Sequence, residues 1–149
     1  MRAIPRVILV CLLGAACGGS SADSPTAPSP QTLAGTWKAT RAEFVLSSNT
    51  SVRVEAVSQG TSFVLTLAAA GTYTQKIADP GEVGQTVTGT WSASSDVLSL
   101  KPTGMSWEIQ FDMTFSGNTL TLNGGHVLFD VNNDGRDDEA ILNLVLARQ

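Results

Sequence analysis

Five carboxylates fall within ten residues near the end of the chain, at Asp130, Asp134, Asp137, Asp138 and Glu139, with Asn132 and Asn133 among them. Side-chain oxygens at Asp130, Asn132, Asp134 and Asp138, with Gly135 for a sharp turn and the carbonyl of Arg136, are hard donors spaced to wrap a calcium ion. The same residues are good turn chemistry, because Asn-Asp-Gly suits a tight reversal and charged hairpin tips are ordinarily solvated. Acids this close repel, and only Arg136 offsets them locally. A cation held there would be structural and weakly bound, with a dissociation constant on the order of 0.1–1 mM. No other group of residues proposes chemistry as sharply. His126 is the sole histidine. Glu108 and Asp112 share the polar face of one predicted strand, where they are solvated. No G-x-S-x-G elbow accompanies the serines. The chain therefore predicts no catalytic residues, no enzyme activity and no organic cofactor.

The spacing D-x-N-x-D-G-x-x-D from Asp130 to Asp138 resembles the calcium loops of dockerins and of integrin-type propeller repeats. It departs from an EF-hand at position twelve, where Ile141 replaces the bidentate glutamate. Residues 127–129 before the loop and 141–146 after it alternate like strands, so two flanking helices are ruled out. The resemblance implies a loop between strands, with calcium locking the last hairpin.

A second reactive group is the thiol of Cys17. It follows an apolar run at residues 4–16, behind Arg2 and Arg6, and precedes Gly18, Gly19, Ser20 and Ser21. A basic start, a short apolar stretch and small residues before a cut make an export signal. The run is too short to cross a bilayer as a helix, which takes about 20 residues. A cysteine directly after the cut resembles a bacterial lipoprotein signal, which implies Cys17 lipidated as the new N-terminus and a membrane as its partner. Gly14 stands where that pattern usually has a large aliphatic residue, so plain secretion with cleavage after Ala16 is the alternative. Several acyl chains would hold stably, each buried methylene contributing about 0.8 kcal/mol. Gly18 and Gly19 in place of aspartate resemble lipoproteins sent on to an outer membrane, with the domain in the periplasm or at the cell surface. The Gly-, Ser- and Pro-rich stretch that follows predicts a disordered tether reaching on the order of 20–40 Å. The expected organisation is a signal peptide at 1–16, the lipidated cysteine and tether at 17–31, and a folded domain at 32–149.

Removing Arg2 and Arg6 leaves 7 of the 9 basic residues against 13 acidic ones, a formal charge of −6. Scattered cations on an acidic domain are unsuited to nucleic acid, whose phosphates need clustered positive charge. With Cys11 in the signal and Cys17 acylated, no thiol remains for a disulfide or a cysteine zinc site.

The elements that must position these groups read as strands. Residues 107–115 alternate strictly, with Trp107, Ile109, Phe111, Met113 and Phe115 apolar and every residue between them polar. A period of two gives a strand with one dry and one wet face. The pattern recurs at 51–57, 61–67, 97–100, 119–122, 127–131 and 141–146, separated by turn sequences such as Asp79-Pro80-Gly81 and Asn133-Asp134-Gly135. Short strands with tight turns and no amphipathic helix predict an all-β antiparallel up-and-down meander of about 8–10 strands. Closure into a small barrel rather than a sandwich would remove the exposed edges.

Leu33-Ala34-Gly35-Thr36-Trp37 opens the first strand after the tether, and Gly89-Thr90-Trp91 repeats the G-x-W mid-chain. G-x-W at the start of such a meander resembles the lipocalin-like (calycin) barrels, and in particular the small bacterial lipocalin-like lipoproteins. The resemblance implies that Trp37 packs across a closed end against a late arginine, here Arg148. It also implies an open end able to hold a small apolar ligand, lined on this reading by Phe63, Leu65, Trp107, Ile109, Phe111 and Met113. The alternative is a filled barrel serving as a non-enzymatic envelope adaptor or enzyme inhibitor. In either case both tryptophans are core residues.

Overall fold

The computed structural model describes residues 28–149. Cys17, the export signal and most of the expected tether lie outside the described residues. Nine strands follow one helical turn, α1 (Pro30–Leu33): β1 (Gly35–Leu46), β2 (Arg53–Glu55), β3 (Ser62–Leu67), β4 (Thr72–Ala78), β5 (Gln85–Ser94), β6 (Val97–Pro102), β7 (Ile109–Ser116), β8 (Thr119–Phe129) and β9 (Asp138–Arg148). From β3 to β9 each strand pairs antiparallel with the next in sequence, and β9 returns to pair with β1. Eight strands, β1 and β3–β9, thus close a barrel, and β2 is a short extra rung on the far half of β1. The chain is the antiparallel meander barrel that its alternation predicts.

Alternation sets which side chains enter the barrel, and two bulges reset it. In β1 the register shifts between Ala39 and Arg41, and the hydroxyl of Thr40 donates to the Val145 carbonyl at 3.1 Å. The extra residue lets Trp37 and Ala39 before it and Ala42 and Phe44 after it all be buried. In β8 the shift falls between Leu122 and Gly125. A Cβ at Gly125 would penetrate the Phe111 ring, so only glycine lets that ring lie against the β8 backbone. Beyond the bulge β8 stays with β9, while its ladder with β7 stops at Asn123.

Two predicted strands are shorter than their alternation. Residues 51–57 yield only β2, because the Glu55 carboxylate accepts the N–H groups of Val57 and Ser58, and the chain turns into a 3₁₀ turn, Val57–Gln59. The alternation at 107–115 begins as strand only at Ile109, opposite Leu100. Pro102, which has no N–H to donate, ends β6, and residues 103–108 connect the two strands outside the sheet.

The core runs continuously from Leu33 and Trp37 through Leu65, Leu98, Leu120 and Leu144 to Phe44, and no polar or charged residue is buried as a whole among the described residues. Each large apolar side chain fully removed from water contributes about 1.5–3 kcal/mol.

Candidate functional site

The two ends of the barrel differ in filling. At one end α1 closes the floor. Ser29 caps this turn by accepting from the Thr32 N–H, Pro30 opens it, and Leu33 is driven against the buried indole of Trp37. The Trp37 Nε1–H donates to the Leu33 carbonyl at 2.9 Å, and Phe115 meets the ring edge-on at 6.1 Å between centroids. Arg148 lays its guanidinium 4.2 Å from the centroid of the Trp37 ring. Its Nη1 and Nη2 donate to the carbonyls of Ala34 and Thr32 at 2.7 and 2.5 Å. This cation over an aromatic face contributes about 1 kcal/mol besides satisfying two carbonyls. A Cβ on Gly35 would lie 2.6 Å from Arg148 Nη1, and its φ of +143° suits glycine. The glycine of G-x-W is thus what allows the arginine to reach the tryptophan. The second copy serves the same end, with Trp91 donating from Nε1 to the Ala68 carbonyl at 2.8 Å.

At the other end lies a cavity of about 800 Å³. Its wall includes Ala42, Phe44, Val54, Phe63, Tyr73, Ile77, Ile109, Val127, Phe129 and Leu142. Phe44 and Phe129 stack at 3.9 Å between centroids, bracing β1 against β8 across β9. Burial pushes the Tyr73 phenol above its ordinary pKa, so it stays neutral. Polar side chains from Gln59, Thr61, Gln75 and Gln85 join the lining. Apolar groups reach water at this end: Trp107 is 53% exposed, Leu128 70% and Val83 98%, and all three border the cavity.

Of the six residues expected along a cavity, the structure brings Phe63, Ile109 and Trp107 to it. Leu65, Phe111 and Met113 are buried in the packed core instead and do not line it. Phe44, Val54, Tyr73, Ile77, Phe129 and Leu142 were missed. Bulges reset the alternation before Phe44 and Phe129, β4 with Tyr73 and Ile77 was not among the alternating segments, and height along the barrel depends on strand register, which alternation does not carry.

The rung between β1 and the 3₁₀ turn is fixed by Glu55. Its carboxylate accepts the N–H groups of Ala42, Val57 and Ser58 at 2.8, 3.3 and 2.6 Å. Burial pushes this carboxyl up, but the N–H groups of Ala42, Ser58 and Val57 favour the anion more, and the net pKa lies below its ordinary value.

The acidic loop joins β8 to β9 at the cavity end. Asp130 accepts the N–H of Asp134 through Oδ1 at 3.0 Å and that of Gly135 through Oδ2 at 2.8 Å. Asn132 Oδ1 accepts from the Asp134 N–H at 2.9 Å, and Asp134 Oδ1 from the Arg136 N–H at 3.0 Å. Asp138 opens β9 with its Oδ2 buried and without a hydrogen-bond partner. Among the described residues no three His, Cys, Asp or Glu side chains are grouped to hold a metal ion. His126 is exposed on β8, and Glu108 accepts from the side chain of Gln110 at 2.6 Å.

A family model described as the lipocalin-like domain matches residues 33–122, more than half of the chain. The match takes in both G-x-W copies and ends before the acidic loop. No curated protein and no solved structure matches the chain.

Proposed function

The chain belongs to the lipocalin-like domain family, and on that footing we propose that it is a binding module holding a small apolar molecule in the open end of its barrel. The observation that carries this reading is the unfilled apolar cavity of about 800 Å³ above a fully packed half. Ligand sites ordinarily measure about 300–1,000 Å³ and are apolar with a few polar groups, as this one is. The buried residues below it supply rigidity, so the wall is held in place before a ligand arrives.

The rest of the proposal is drawn from the sequence. Cys17, lipidated after export, would tether the barrel to a bacterial envelope membrane, the outer one by the resemblance that Gly18 and Gly19 carry. A weak structural calcium ion at Asp130, Asn132, Asp134, Asp138 and the Arg136 carbonyl belongs to the same proposal. Its support is the alternation of oxygen donors around Gly135, and its test is a calcium-dependent rise in melting temperature that chelator reverses.

Native mass spectrometry of the protein exported with Cys17→Ser, which carries no acyl chain, tests the binding reading. A retained mass of a few hundred daltons is expected. A bare polypeptide from every growth condition, with no uptake of added apolar compounds, would move the reading to a non-enzymatic adaptor or inhibitor.

A further inference from the structure

The cavity has an apolar body and a rim of one charge. Four carboxylic side chains are among its lining residues, Asp79, Glu82, Asp130 and Asp137, and no Lys, Arg or His is among them. We infer that the open end selects amphiphiles with a cationic head, the tail lying against Phe63, Ile77, Ile109, Phe129 and Leu142 and the head among these carboxylates. This rests on the proposal that the cavity binds an apolar molecule, and it names the chemical class.

No ion pair among the described residues engages the rim carboxylates. Only Asp130 of the four is also a donor of the proposed calcium site, so Asp79, Glu82 and Asp137 are left to a head group with calcium bound. The two ion pairs among the described residues join Arg41 and Arg53 to Glu43, away from the cavity lining. Lys76 stands between the lining residues Gln75 and Ile77 on β4, and strand alternation turns it to the outer face. Arg136 belongs to the acidic loop but does not line the cavity. Asp79 accepts from the Thr61 hydroxyl at 2.5 Å and Asp130 from two backbone N–H groups, which fixes both anions in place. Glu82 and Asp137 are exposed and free to meet a head group.

Anions above a low-dielectric well focus a negative potential at its entrance, raising the local concentration of cations and repelling anionic heads. Trp107, half exposed at the rim, offers an aromatic face to the same positive group. A bare metal ion would gain nothing from the apolar body, and a fatty acid would bring its carboxylate against four others.

The test displaces neutral N-phenyl-1-naphthylamine, followed by its fluorescence, from protein exported with Cys17→Ser so that no acyl chain competes. Three displacers with the same twelve-carbon tail are compared below their micelle concentrations: dodecyltrimethylammonium, dodecyl maltoside and dodecyl sulfate. The ammonium compound is expected to displace the probe at about tenfold lower concentration than the sulfate, with the maltoside between them. High salt should shrink that gap. The Glu82→Gln/Asp137→Asn double variant, changed only at exposed positions, should reduce it to about threefold. Equal or better displacement by the sulfate, or a gap unchanged in the double variant, would overturn the inference and leave the apolar site standing. Failure of the naphthylamine and of all three displacers to bind would overturn both readings.

Discussion

The two ends of this barrel are made from the same strands and the same kinds of side chain, yet one is solid and the other holds about 800 Å³ of space. At the closed end Leu33, Trp37, Phe115 and Arg148 meet around one indole, and the β7–β8 and β8–β9 ladders run together. At the open end β8 pairs only with β9 beyond its bulge, and residues 85–87 of β5 pair only with β4. The difference lies in the backbone rather than in side-chain size. Where the ladders lose a neighbour, Phe44, Phe63, Ile77 and Ile109 line open space instead of packed core. A bulge at Asn123–Gly124 and a proline at the end of β6 thus mark where the core stops and the cavity starts.

Substitutions at the two ends should therefore have opposite signatures. Trp37→Ala removes the indole at the centre of the closed end and orphans the Leu33 carbonyl, and should lower unfolding free energy by about 3–5 kcal/mol in urea denaturation. A loss below about 1 kcal/mol would mean that the closed end is not the rigid half. Gly125→Ala drives a methyl into the Phe111 ring at the boundary between halves, at a cost of about 1–3 kcal/mol. It should also change probe binding, which Trp37→Ala in the surviving folded fraction should not.

Glu55→Ala deletes the acceptor for three N–H groups beside the cavity, and should cost about 1 kcal/mol at neutral pH. Because the folded-state pKa of Glu55 is depressed, its stabilisation is present above the ordinary value of 4.5 and is lost as pH falls through the lower folded value. The difference between wild type and variant should accordingly vanish in acid, and a difference that grew there would have the wrong sign. Trp107→Ala, at the exposed rim, should alter stability by no more than about 0.5 kcal/mol while weakening binding. Equal losses in both would place Trp107 in the core rather than at an entrance.

Much of this contrast was legible in the sequence and some was not. The alternation from Trp107 to Phe115 and its counterparts marked β2, β3 and β6–β9 with their dry faces and the antiparallel meander, but not β4 or β5. The pairing of Trp37 with Arg148 came from the family resemblance, and Gly35 explains it physically through the close approach of the guanidinium. Period-two alternation is blind to depth, so Phe63 and Ile109 in the wall could not be told from Leu65, Phe111 and Met113 in the core. Trp107 keeps the phase of β7 but lies outside its ladder, because Pro102 ends the partner strand. The donors of the acidic loop were visible by spacing. That Asp130 engages the N–H groups of Asp134 and Gly135 depends on the local backbone turn, where Asn133 has a φ of +59°.

The most direct test of a ligand site confined to the open end is a tryptophan-resolved titration with N-phenyl-1-naphthylamine. Trp37 and Trp91 are buried at the closed end and Trp107 stands at the rim, so a Trp107→Phe variant isolates its share of the emission change. One saturable site per chain, with most of the quenching lost in Trp107→Phe while the naphthylamine still binds, is the predicted result. No saturable binding, or quenching unchanged when Trp107 is replaced, would contradict a cavity at this end.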